Sequence, residues 1–136
     1  MPDEPISQAN RDEEILSLNQ AMLESVVRGD WQGYAATCSE DLSCFEAETN
    51  GLLVEGLPFH HFYFPCTSDL GDQGPAPQVT MARPHLRWLS DEAVVLSYTR
   101  LTQRWVDGNP VTASCCETRV WQRCHGTWLQ VHVHRS

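Results

Sequence analysis

The sequence predicts a single α+β domain in which N-terminal helices pack into a strongly curved antiparallel sheet. Three observations predict it. Apolar residues recur at spacings of three and four between residues 12 and 28, the period of one helix face. From residue 78 to the end, long β-prone runs alternate with two- to four-residue turn signals. The chain has 136 residues, one domain's worth of sequence. Helices first and an antiparallel meander afterwards are the order of an α+β fold.

Residues 1–10 contain two Pro and little apolar content and read as a flexible tail, leaving 11–136 as the domain. In the first helix Ile15, Leu18, Met22 and Val26 form the apolar stripe, with Leu16, Leu23 and Val27 beside it. Asp12, Glu13 and Glu14 are expected in the first turn, where they suit the helix dipole. Arg28 then falls in the last turn, and Gly29 supplies the stop. Asp30 is a good N-cap for a second helix whose apolar edge is Trp31, Tyr34, Ala35 and Cys38.

Residues 42–48 suit a short strand, Asn50-Gly51 a turn, and residues 52–54 a second short strand. Pro58 sits near the first position of a third short helix over 56–64, and the Pro- and Gly-rich stretch 65–77 reads as loop. The strand over 78–89 contains Pro84, which predicts a bulge or an edge position. Long strands follow at 93–106 and 111–124, joined by a turn at 107–110. His125-Gly126 is a two-residue hairpin turn into a last strand over 127–135. Strands of this length bend, so the sheet should curl and present a concave side.

Charge and composition exclude several functions. All nine basic residues are Arg, against 18 acids, for a net charge of −9. Such a chain repels phosphate backbones, so nucleic acid is not an expected partner. No apolar run approaches membrane-spanning length, and the acidic start lacks the pattern of a secretory signal, so a cytoplasmic protein is expected. Residues 1–55 hold 12 acids against two Arg, whereas residues 56–136 hold six against seven. The six Cys form no CxxC pair and read as reduced, packed thiols; adjacent Cys115 and Cys116 would face opposite sides of a strand.

Strand parity then places the cations. With Val106 opposite Val111, Arg100 lies opposite Glu117 and Arg119 opposite Tyr98, all on one face with Val94, Leu96 and Trp121. Two Arg in mid-strand on an apolar face need partners. Arg100 and Glu117 can form one buried pair with Arg119 at a rim, or the Arg can floor a site for a carboxylate, which a guanidinium binds bidentately. The row Leu129, Val131, Val133 leads to Arg135 on the core side, while strict pairing across the last turn puts His132 and His134 beside Arg119 instead. A bulge in either strand reverses this. His132 and His134 could ligate a metal, but no third ligand is evident, and no metal or cofactor is expected. No nucleophile elbow, P-loop, zinc-helix motif or dinucleotide fingerprint is present; a catalytic site would have to use Glu46, Tyr34 and His60 as acid/base groups.

One resemblance spans nearly the whole chain. Gly29-Asp30-Trp31 with Tyr34, Phe45-Glu46 with Glu48, Leu53-Val54-Glu55-Gly56, and Phe59-His60-His61-Phe62-Tyr63-Phe64 carry its first half. Pro84-His85, Tyr98-Thr99-Arg100-Leu101-Thr102-Gln103, Glu117-Thr118-Arg119-Val120-Trp121, Gly126-Thr127-Trp128 and Val131-His132-Val133-His134-Arg135-Ser136 carry the second. With these stretches in order, the chain resembles the association (hub) domain of calcium/calmodulin-dependent protein kinase II, in the nuclear transport factor 2-like superfamily. The resemblance implies a conical, cystatin-like α+β fold. It also implies a deep pocket lined by Arg100, Arg119 and Arg135, with His60 and Tyr34, for a small anionic ligand, and it favours the bulge that turns Arg135 inward. It implies a non-catalytic domain that self-associates, here expected as a homodimer built on the sheet, with a higher ring as the family's further state. No kinase domain or calmodulin-binding helix lies within these residues, so neither kinase activity nor calmodulin binding is expected. A free-standing, Lys-free version is expected to be bacterial. The alternative within the superfamily is a small cofactor-free enzyme (isomerase, lyase or hydrolase) of the ketosteroid isomerase or polyketide cyclase-like (SnoaL-like) type.

Overall fold

A computed structural model describes residues 7–46, 49–57 and 77–136 of the chain. Helix α1 runs Gln8–Arg28 and α2 Trp31–Ala35. Six strands follow: β1 Cys38–Phe45, β2 Val54–Glu55, β3 Gln78–Ser90, β4 Ala93–Val106, β5 Asn109–Cys124 and β6 Thr127–Arg135. They form one sheet in the order β2-β1-β6-β5-β4-β3. All neighbours are antiparallel except β1 and β6, so the sheet is mixed rather than wholly antiparallel. The chain from α2 enters β1 alongside β6, a long-range pairing with no local sequence signal.

Helix α1 begins earlier than expected because Ser7 caps it, its side chain accepting from the Asn10 N–H. Asp12 and Glu14 therefore lie past the first turn and take other partners. Trp88 Nε1 donates to Asp12 at 2.7 Å and Trp128 Nε1 donates to Glu14 at 3.0 Å. The helix ends at Gly29, whose φ of 68° suits a residue without Cβ. Asp30 caps α2 by accepting from the Gly33 N–H. Cys38 belongs to β1 rather than to the edge of α2, and β1 starts four residues before the expected strand.

The core lies between α1 and the concave face of the sheet. Ile15, Met22 and Leu23 of the helix meet Tyr34, Leu42, Val79, Val94, Leu96, Trp121 and Val133. The sheet reaches the helix from several strands. Besides the two indoles, Gln20 Nε2 donates to the Val79 carbonyl on β3, and Trp121 Nε1 on β5 donates to buried Asn19.

Three local features set the registers of the sheet. On β3, Arg83 has a φ of 53° and the register shifts between Ala82 and His85, which is the bulge that Pro84 predicts; β3 is also an edge strand. The β4–β5 turn is the two-residue Asp107-Gly108, both with positive φ, not a four-residue loop. Arg100 consequently pairs with Cys115, and Glu117 with Tyr98, two positions from the expected register. An even shift preserves parity, so the inward face is unchanged. On β6, Val120 pairs with His132 but Trp121 with Gln130, so Val131 is an extra residue. That bulge puts Gln130, Val133 and Arg135 on the concave face and His132 and His134 on the convex one. The alternative with His132 and His134 beside Arg119 is thereby corrected.

Residues 58–64 of the expected third helix, with His60 and His61, and most of the expected 65–77 loop, with Cys66, lie outside the described residues. The five described cysteines are free thiols, with Cys115 half-buried and Cys116 exposed. Among the described residues no helix is long and apolar enough to cross a membrane, and no group of three or more His, Cys, Asp or Glu could hold a metal ion.

Candidate functional site

The concave face carries a charged cluster where β4, β5 and β6 run side by side. At its centre is Arg119, only 2% exposed. Its Nε donates to Tyr98 Oη at 3.1 Å and to Glu117 Oε1 at 3.0 Å. Its Nη1 donates to Gln130 Oε1 at 2.6 Å and to Tyr34 Oη at 3.4 Å, and Nη2 lies 3.0 Å from Glu117 Oε1. The chain's own groups thus surround the guanidinium. Arg119 is not at a rim, as one sequence reading has it, because the sheet curls its strand under α1 and α2.

Glu117 is shared between two cations. Arg100 Nη1 reaches Oε2 at 2.8 Å, while Oε1 takes Arg119 and the Tyr98 hydroxyl. Burial pushes the Glu117 carboxyl up, but Arg119, Arg100 and the Tyr98 hydroxyl outweigh it and hold the carboxyl below its ordinary range. Burial works against the charge on Arg119 as well; Glu117 and the phenol oxygens more than offset it, so the guanidinium holds its proton well above its ordinary range. Tyr98 is pushed up to about 12, chiefly by burial, and remains a neutral hydroxyl donor. Tyr34, 1% exposed, is likewise raised by burial.

A second pair flanks this centre. Arg135, which pairs with Glu117 across β5–β6, sends Nη2 to Glu46 Oε2 at 3.1 Å. Glu46 lies one residue past β1 and is 8% exposed. Its main chain is held by Thr49, whose hydroxyl donates to the Glu46 carbonyl at 2.8 Å. Arg100 and Arg135 keep 17% and 21% of their side chains exposed, against 3% for Arg119. Of the residues named from sequence, Tyr34, Glu46, Arg100, Arg119 and Arg135 are brought together. His60 is not among those described.

Sequence reasoning missed the polar shell behind Arg119. Gln130, fully buried, accepts from Arg119 and donates from Nε2 to Thr37 Oγ1 at 2.8 Å. Thr37 Oγ1 in turn donates to the Tyr34 carbonyl at 2.7 Å. Asn19, also fully buried, accepts from Trp121 on the other side. The signal for Asn19 was its place four residues after Ile15 on the buried stripe of α1. Gln130 had no such signal without the Val131 bulge.

The residue pattern of the family described as calcium/calmodulin dependent protein kinase II association domain matches residues 11–136. The chain belongs to that association-domain family. It is 40% identical over 128 residues to the calcium/calmodulin-dependent protein kinase type II alpha chain of Drosophila melanogaster, a match covering 93% of this chain and 24% of that one. The chain thus spans about a quarter of the length of that kinase. Among solved structures, this association domain is similar to the kinase II hub homology domain of Chlamydomonas reinhardtii, with a TM-score of 0.80 and 45% identity, covering 92% of this chain and 96% of that one. A nuclear transport factor 2-like superfamily protein of Salmonella enterica shares the fold alone, with a TM-score of 0.72, 17% identity, and coverage of 96% of this chain and 92% of that one. The α+β, nuclear transport factor 2-like fold of this association domain is therefore established.

Proposed function

We propose that the chain is a non-catalytic, self-associating cytoplasmic association domain whose arginine cluster holds a small carboxylate. The observation that carries the ligand reading is the contrast among the three Arg. Arg119 is enclosed by Glu117, Gln130, Tyr34 and Tyr98, and it sets the floor. Arg100 and Arg135 stand on strands to either side of β5, the first paired with Glu117 and the second with Glu46, and both retain exposed surface. Two guanidiniums across a rigid sheet are suited to receive an anion in charge-assisted hydrogen bonds. Membership in an association-domain family supports the self-association. A homodimer would use the convex face, where Val95, Val120 and Leu101 stand half-buried among Ser97, Thr99 and Thr118.

The catalytic alternative would use Glu46 as base with Tyr34 and His60. Glu46 is engaged as an anion by Arg135, and Tyr34 is a deeply buried phenol against Arg119, so the described geometry supports holding charge more than moving protons.

Sodium acetate and other small monocarboxylates at millimolar concentration are expected to raise the melting temperature of the wild type, with Arg100→Gln and Arg135→Gln each removing the shift. Absence of any shift in the wild type overturns the ligand reading. Sedimentation of the same sample should give a mass of two or more chains, and a strictly monomeric mass overturns the self-association.

A further inference from the structure

The cluster contains two carboxylates, and the protein holds them differently. Glu117 is 2% exposed and sits between Arg100, Arg119 and the Tyr98 hydroxyl in the middle of β5. Moving it would strip the deepest guanidinium of its counter-charge in a low-dielectric setting, so it is fixed. Glu46 stands at the margin, beyond the end of β1. Thr49 pins its main chain, and its side chain reaches across to the last residue of β6. Glu46 lies outside every strand pairing of β1, so exchange of its side chain at Arg135 leaves the ladders intact.

We propose that Glu46 is a displaceable internal anion: it holds Arg135 as a carboxylate would, and an incoming ligand carboxylate takes its place. Glu46 thereby sets the affinity of the site. The inference rests on the carboxylate-binding reading of the same cluster. A guanidinium fork receives one carboxylate bidentately, so Glu46 and a ligand compete for one face of Arg135. The position also fits a shared target. Arg100, Arg119 and Arg135 stand on the neighbouring strands β4, β5 and β6 on one face, so an anion at Arg135 joins a face that already carries two further guanidiniums. Ligand exchange would swap one negative charge for another and leave the buried charge balance unchanged.

The test is acetate affinity by titration calorimetry for wild type, Glu46→Gln, Glu46→Asp and Arg135→Gln. Glu46→Gln is expected to bind acetate about tenfold more tightly than wild type, equivalent to ~1.4 kcal/mol. Glu46→Asp, which retracts the carboxylate by one methylene, should also gain affinity, by a smaller factor. Arg135→Gln should lose binding whether or not Glu46 is present. A second readout needs no substitution: on saturating wild type with acetate, the Glu46 side-chain carboxyl carbon resonance should move toward the position of a solvated Glu. If wild type binds acetate but Glu46→Gln and Glu46→Asp bind it equally or more weakly, and the Glu46 resonance stays in place, the exchange is overturned while the binding site stands. If neither wild type nor any variant binds acetate, the carboxylate reading falls and the exchange falls with it.

Discussion

The two halves of the β4–β5 hairpin share one unbroken ladder, from Ala93 opposite Gln122 to Val106 opposite Asn109, yet they are different environments. In the half next to the β5–β6 turn, Val94, Leu96, Tyr98, Glu117, Arg119 and Trp121 are all buried. In the half next to Asp107-Gly108, every residue from Gln103 to Ser114 is exposed, including Trp105 at 53% and Val111 at 44%. Backbone pairing is the same along both. The difference is what lies against the concave face: α1 and α2 cover the first half, and no described element covers the second. Ladder hydrogen bonds therefore set the geometry, but the packed layer decides which charges must be paired. Arg119 needs its four partners because it is covered; Arg104 is exposed to water.

The largest expected effect breaks the covered half. Arg119→Met leaves Glu117 buried with one of its two cations gone, which should cost roughly 3–5 kcal/mol in chemical denaturation. Adding Glu117→Gln should recover part of that loss, since a neutral amide no longer needs a counter-charge. A loss under about 1 kcal/mol for Arg119→Met would mean that the cluster is well solvated, contrary to its burial.

Acid separates the concave face from the convex one. The Glu117 carboxyl is held below its ordinary range in the fold, so the folded state favours its ionised form. Its contribution is complete above the ordinary carboxylate value, about 4.3, and is lost as pH falls through the lower folded value. His132, on the convex face with its Nδ1 2.7 Å from Ser43 Oγ, is lowered by burial and then by His134, with Ser43 partly opposing. Its unfolded form takes up a proton first, so its smaller contribution is complete above about pH 6.5 and declines as pH falls toward the folded value. Melting temperature against pH should show a shallow decline below about 6.5 and a steeper one below about 4.3. His132→Gln should remove the first step and Glu117→Gln the second; loss of both steps in either variant would break the assignment of faces.

Much of this arrangement was legible in the chain because parity is robust. Arg100, Arg119, Glu117 and Tyr98 alternate correctly whether the hairpin turn has two residues or four, so the face was right where the register was off by two. Pro84 announced its bulge because proline cannot donate to a ladder. Arg135 needed the family resemblance, since nothing in Leu129–Gln130–Val131 reveals which residue the strand will skip. Gln130 and Asn19 were hidden for a related reason. Hydropathy assigns amides to the surface, and only tertiary partners, Arg119 for one and Trp121 for the other, make their burial favourable. The parallel pairing of β1 with β6 joins residues about ninety positions apart and leaves no local trace.

The smallest expected effect lies in the uncovered half and gives the comparison its sharpest edge. Trp105 is more than half exposed and pairs with Pro110, so replacing it by Ser removes little buried area and no ladder bond. At low protein concentration Trp105→Ser should change unfolding free energy by no more than about 0.5 kcal/mol, as surface substitutions do. A loss above about 1 kcal/mol that persists on dilution would show that this half is packed within its own chain, and the contrast between the two halves would fail. A loss that appears only as concentration rises has a different cause: a second copy then binds the folded form, and stability acquires a mass-action term. In that case Trp105, Val106 and Val111 belong to the contact between chains, and the half without a covering helix is covered by a neighbour instead.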